Sequence, residues 1–339
     1  MKQLPVVKES FRTVFDMCRW PVREKVLAAG IELGIFDAIS APASAENVAR
    51  SIGTHPGNTG LLLDALAALD LVVKRNGLYR NAPVSQAFLI ETSPTFLGAI
   101  FTYLLTSAAF TSEELMRWVR EGSGSSTKAH TASDEMTKAE VTSYISFQRA
   151  GRAQKVASVV SALLELPSFY KMLDLGCGPG INGIAIVSGH PTMRGVSFDR
   201  PRTVNVARRS IREYGMEDRM TAIGGDHTCD PIGEDYDLIL ACDTLCYSED
   251  EIDHVMSKIH AALSPQGVLL SIHHGLTHER TKPAGMVLGM LISGLKGEDM
   301  EVLDQGFIAD AMIRAGFRSV RSRTLDSDWG ELDADIARK

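Results

Sequence analysis

The chain has 339 residues, 45% of them apolar and 23% charged, with a formal net charge of −7. This composition excludes a disordered or fibrous protein, and the length suffices for two domains that each bury a core. The acidic balance argues against non-specific nucleic-acid binding, and the longest apolar run, residues 284–295, falls far short of the roughly 20 residues that cross a bilayer.

Residues 1–14 lack an apolar run behind the first lysine, so no secretory signal is expected, and five cysteines without paired spacing suit a reducing, cytoplasmic compartment. Apolar residues then recur at helical spacing over 23–36 (Val26, Leu27, Ile31, Leu33, Ile35), behind Pro21, which suits a helix start. Ser44 is placed to cap a second helix that Gly53 stops. Asn58 or Thr59 opens a third over 60–69, and 71–80 reads as two short strands around an Asn76-Gly77 turn. Three helices and a hairpin spell a winged-helix unit. Its third helix would enter the major groove of DNA, yet no Lys or Arg occurs from Gly60 through Val73, and residues 1–100 carry ten basic against nine acidic side chains. A scaffold for packing or dimerisation is expected instead.

Residues 94–120 continue with helical, apolar spacing, 122–127 is a Gly/Ser loop, and helical signals resume near Lys138 to run through two segments to Leu166, where Pro167 ends them. Five short apolar runs follow, at 171–175, 195–198, 220–223, 238–241 and 268–272, alternating with amphipathic helices. That alternation predicts an α/β, doubly wound domain with a mostly parallel sheet covered on both faces. The expected organisation is a mostly α-helical winged-helix domain over 1–100, a helical connector over 101–166 and the α/β domain over 167–339.

The first of these strands runs into Asp174-Leu175-Gly176-Cys177-Gly178-Pro179-Gly180. Glycine there allows positive φ and lets the backbone pass close beneath a ligand. A dinucleotide fingerprint would read G-x-G-x-x-G; here the third glycine comes one residue early, and Asp174 stands where a phosphate would be repelled. The ligand is not expected to be a pyrophosphate.

This motif resembles the first motif of the class I S-adenosylmethionine (SAM) methyltransferases. Asp199 closes the second strand about 20 residues later, where the resemblance implies a carboxylate on the ribose hydroxyls, and Gly225-Asp226 closes the third, where it implies that Asp226 accepts from the adenine amino group. Gly176, Gly178, Gly180, Asp174, Arg200, His227 and Cys242 complete the expected cofactor set. Over nearly the full chain, a winged-helix domain, a helical segment and a SAM domain resemble the acetylserotonin and plant-type small-molecule O-methyltransferases. The resemblance implies a homodimer acting on a small molecule, with no nucleic-acid or membrane partner.

In that family a Leu-His-Asp-Trp stretch supplies a His base. The matching stretch here is Ala241-Cys242-Asp243-Thr244-Leu245-Cys246-Tyr247-Ser248, placing Cys246 where the His would be, and the carboxylate that orients that base aligns with His274. Three readings follow. A thioether acceptor has no proton to lose and needs no base; a carbon acceptor would match the pigment C-methyltransferases, which share a Tyr-Ser pair like Tyr247-Ser248; or His274 takes the base role and O-methylation persists. His273, His274 and His278 invite a metal, but strand alternation sets His273 and His274 on opposite faces, so none is expected.

The helix over 142–154 packs over the donor methyl in the family. Tyr144, Phe147 and Gln148 would share one of its faces, with Arg152 a turn beyond to hold an acceptor carboxylate. Met286 and Met290 are expected in the same cavity, with His274 and Tyr247 nearest the chemistry. This set resembles the S-methyltransferases acting on 4-methylthio-2-hydroxybutyrate towards dimethylsulfoniopropionate, the reading taken forward. A SAM-sensing winged-helix regulator is the alternative from another class.

Overall fold

A computed structural model describes residues 8–107, 110–122, 138–245, 249–297, 302–328 and 330–339. The chain divides into two compact units, residues 1–109 and 110–339. No helix among the described residues is long and apolar enough to cross a membrane.

The first unit opens with α1 (Arg12–Met17) and α2 (Trp20–Glu32). The periodic segment over 23–36 is not one helix: Gly34, at φ +66°, ends the pattern and starts α3 (Ile35–Ala38). Its Ile35 and Phe36 are fully buried. In α4 (Ala45–Ile52) the Ser44 side chain accepts from the Asn47 amide and Gly53 closes the helix in the left-handed region, as expected. α5 (Pro56–Ala68) begins earlier than its apolar pattern, because Pro56 fits the first turn and the His55 ring caps the Asn58 amide. β1 (Val72–Arg75) and β2 (Leu78–Asn81) form the hairpin, Asn76 and Gly77 both at positive φ in its turn. α6 (Pro83–Phe88) and α7 (Gly98–Ser107) complete the unit around a core that includes Ile39, Val48, Leu63, Leu66, Val72 and Tyr79.

The second unit starts with α8 (Ser112–Glu121), opened by a Thr111/Glu114 capping box, then α9 (Lys138–Phe147) and α10 (Ala153–Ser161). From there β3 (Lys171–Leu175), α11 (Ile181–Ser188), β4 (Arg194–Asp199), α12 (Pro201–Glu213), β5 (Met220–Gly224), β6 (Tyr236–Cys242), α13 (Glu249–Ala262) and β7 (Leu263–His273) alternate. α14 (Ala284–Lys296), α15 (Phe307–Arg314), β8 (Ser319–Leu325) and β9 (Leu332–Arg338) end the chain. The sheet order is β5-β4-β3-β6-β7-β9-β8, parallel from β5 to β7 and antiparallel for the last two strands. Successive residues of β3 enter different cores: Met172 packs with α10 and α11, Leu173 and Leu175 with α13 and α15. The centre of the sheet is thus buried on both faces, as the continuous apolar runs of β3, β6 and β7 require.

β8 and β9 were not anticipated. β8 is largely exposed, and β9 carries Asp333 and Asp335 at alternating positions that are nonetheless buried. Acidic residues inside a sheet remove the apolar signal that marks a strand.

Candidate functional site

Chain direction fixes where a ligand can bind. β3, β4 and β5 are laid down outward in one direction and β6 then pairs on the other side of β3, so the carboxyl ends of β3 and β6 flank the topological switch point, where doubly wound sheets open a crevice.

The glycine turn lies at this crevice. Gly176, Gly178 and Gly180 take φ of +64°, +56° and +76°, and Gly180 caps α11. At Gly176 a Cβ would sit 2.3 Å from Thr244 Oγ1, so no other residue fits. Thr244, just past β6, donates to the Leu175 carbonyl at 3.0 Å and ties the two strand ends together. Sequence reasoning missed it, since a threonine 69 positions away carries no local signal.

Asp174 does not face the crevice as expected. It is 1% exposed, and its Oδ2 accepts from the Gly183 amide at 3.0 Å, beneath the turn. Burial pushes its carboxyl up to about 7. Asp199 closes β4, with Oδ2 accepting from the Gly178 amide at 2.7 Å and Oδ1 from that of Arg200 at 2.7 Å. It therefore splints the glycine turn to the neighbouring strand end. The Gly225 amide donates to the Asp199 carbonyl at 3.0 Å, and a Cβ there would meet the Phe198 ring at 2.7 Å. Asp226 follows, accepting through Oδ1 from the Thr228 amide (2.9 Å) and hydroxyl (2.7 Å), which holds its carboxyl below the usual range. Burial lowers the pKa of the neighbouring His227 imidazole and raises that of the Cys242 thiol. In both, burial favours the uncharged form.

Across the crevice, the expected helical face breaks. Residues Gln148–Arg152 form a wide turn in which Gly151 takes φ +124°, so Gln148 and Arg152 point to separate places. Gln148 reaches the glycine turn rather than the acceptor side: its Oε1 accepts from the Ile181 (2.9 Å) and Asn182 (3.3 Å) amides at the start of α11. Arg152 is buried, and its Nη2 donates to Asp243 Oδ2 at 2.5 Å, just past β6. One short segment thus clamps both strand ends of the switch point. Phe147 has its ring 5.7 Å from the Arg152 guanidinium carbon, while Tyr144 is 55% exposed.

His274 follows the end of β7, its Nδ1 3.2 Å from the Glu331 carbonyl. His273 is buried in the sheet, its Nε2 3.8 Å from Asp335 Oδ2. Met286 and Met290 lie one turn apart and half-buried on α14. Cys246 and Tyr247 lie outside the described residues. No metal-binding cluster occurs among the described residues.

A doubly wound domain with a glycine turn backed by carboxylates, and no cationic phosphate cradle at that turn among the described residues, suits a nucleoside-binding class rather than a dinucleotide-binding one. The O-methyltransferase domain profile matches residues 112–318, and that of the O-methyltransferase dimerisation domain residues 17–91. The chain belongs to the O-methyltransferase family and is a SAM-dependent methyltransferase of small molecules. It is 27% identical to the N,N-dimethyltransferase OxyT of Streptomyces rimosus, over 90% of this chain and 91% of that one. To human acetylserotonin O-methyltransferase it is 27% identical, over 98% of both chains. The crystal structure of human N-acetylserotonin methyltransferase in complex with SAM superposes with a TM-score of 0.76 at 24% identity, covering 99% of each chain. The structure of PigF with SAH gives 0.77 at 20%, over 98% of this chain and all of that one.

Proposed function

We propose that the chain transfers the methyl group of SAM to the sulfur of a small thioether acid such as 4-methylthio-2-hydroxybutyrate. The observation that carries this reading is the Arg152 guanidinium: buried, held on one nitrogen by Asp243, with Nε and Nη1 lacking a hydrogen-bond partner among the described residues. A buried guanidinium is costly unless its donors are met, and its planar fork suits a carboxylate. The same turn borders a polar cavity of about 280 Å³ whose walls include Arg152, Lys155 and Ser327 together with Asp326 and Asp328.

The residues present fit SAM. Three left-handed glycines leave the turn without side chains, Asp199 stands at the next strand end for ribose hydroxyls, and Asp226 beyond it for the adenine amino group. Arg200, Gly225, His227 and Cys242 surround the nucleoside in this reading, and Asp174 acts from beneath the turn. When bound, SAM supplies a methyl carbon activated by its sulfonium, and transfer to a thioether sulfur releases no proton. The chain's task is therefore alignment: Arg152 fixes the acid, and Phe147 and Tyr144 offer aromatic faces to positive charge. The replacement of the family's His by Cys246 agrees with a reaction that needs no base.

One observation favours a second reading, O-methylation with His274 as base. If its Nδ1–H donates to the Glu331 carbonyl, Nε2 keeps its lone pair for an acceptor hydroxyl. Incubation with SAM and a panel of thioether acids, thiols, phenols and tetrapyrroles, followed by product mass spectrometry, tests both. The expected product is a sulfonium from the thioether acid, formed equally well by His274→Ala; methylation confined to a phenolic oxygen, abolished by that substitution, would replace the first reading with the second. In this proposal the enzyme works in the cytoplasm as a homodimer, and the dimerisation profile supports the homodimer.

A further inference from the structure

The turn after β5, residues 226–230, is held from outside itself by α13. Lys258 Nζ donates to the His227 carbonyl at 3.0 Å and also to the Asp230 carbonyl. One turn earlier on the same helix, His254 Nε2 lies 3.2 Å from the Thr228 carbonyl. Within the turn, the Asp226 amide donates to Asp230 Oδ2 at 2.8 Å, and the Asp226 carboxylate accepts twice from Thr228. Three carbonyls of five residues thus rest on one helix face, and the Asp226 carboxylate is aimed by the backbone they fix.

We infer that Lys258 is a positioning residue for recognition of the donor's adenine: its ammonium fixes the two carbonyls that set where Asp226 points. The inference rests on the reading above in which Asp226 accepts from the adenine amino group. A lysine suits the task because a charged donor holds carbonyl oxygens more strongly than a neutral one and its three hydrogens can serve two of them.

The test compares wild type, Lys258→Met and Lys258→Arg by calorimetric titration with S-adenosylhomocysteine and with its deaminated, hypoxanthine-bearing analogue. The two ligands differ at the purine position that Asp226 reads. Wild type is expected to prefer the adenine ligand by about tenfold or more, because a 6-oxo group cannot donate to a carboxylate. Lys258→Met is expected to weaken the adenine ligand by about tenfold and the analogue by less than about threefold, collapsing the preference. Lys258→Arg is expected to restore most of it, and kcat at saturating donor and acceptor to stay within about twofold.

Equal weakening of both ligands, or a preference unchanged in folded Lys258→Met, would overturn the positioning role while leaving the donor site standing. No preference in wild type would overturn the role of Asp226 and the inference together.

Discussion

A carboxylate buried beneath a ligand turn has a measurable signature. Asp174 titrates near 7 in the folded chain against an ordinary 3.8, chiefly because burial disfavours its charge. The folded state therefore keeps a proton that the unfolded chain gives up, so the stability this group contributes is full below pH 4 and is lost as pH rises to about 7. Asp174→Asn keeps an acceptor for the Gly183 amide and removes the titration. Its unfolding free energy relative to wild type should rise by on the order of a few kcal/mol between pH 4 and 8 in urea titrations, and a constant difference would contradict the assignment. Asp199→Ala removes both the splint on Gly178 and the proposed ribose acceptor, so SAM affinity should fall by about a hundredfold or more in calorimetry. An affinity within about threefold of wild type would reject that role. The glycine turn, Asp199 and Asp226 were legible because each closes a strand at regular spacing. The burial of Asp174 was not, since it depends on Gly183 having no side chain to fill the space its Oδ2 occupies.

At the scale of elements, the turn over Gln148–Arg152 decides how the site is built. An unbroken helix would have sent Gln148 and Arg152 along one face; the wide turn sends Gln148 to α11 and Arg152 to Asp243. Gly151→Ala forces a side chain into φ +124° and is expected to destabilise the fold by about 1–3 kcal/mol while raising the KM for the acceptor. An unchanged melting temperature and KM would show that the turn tolerates a regular helix. The helical pattern was readable, but its break was not, because what stabilises it comes from partners 33 and 91 residues away. The terminal hairpin escaped notice for a related reason: buried Asp333 and Asp335 interrupt the apolar alternation that marks a strand.

At the scale of the molecule, helices and an Asn-Gly hairpin occur in the first unit and alternating strands and helices in the second, while most of the segment read as a separate connector, 101–166, belongs to the second unit. The first unit leaves Phe11, Val14, Met17, Trp20 and Val22 more than half exposed on and beside α1 and α2, and the last three fall within the dimerisation-domain match over 17–91. Sedimentation equilibrium at micromolar concentration should return twice the 36.8 kDa chain mass, and a monomer at that concentration would refute the proposed homodimer. The α/β unit carries the central proposition, that its switch point holds an adenosyl sulfonium donor on a glycine turn between two carboxylates. A crystal structure of the chain grown with S-adenosylhomocysteine addresses it most directly. The ribose is predicted on Asp199 and the adenine amino group on Asp226, above Gly176–Gly180; a ligand bound elsewhere, or this crevice closed to it at saturating concentration, would contradict the account.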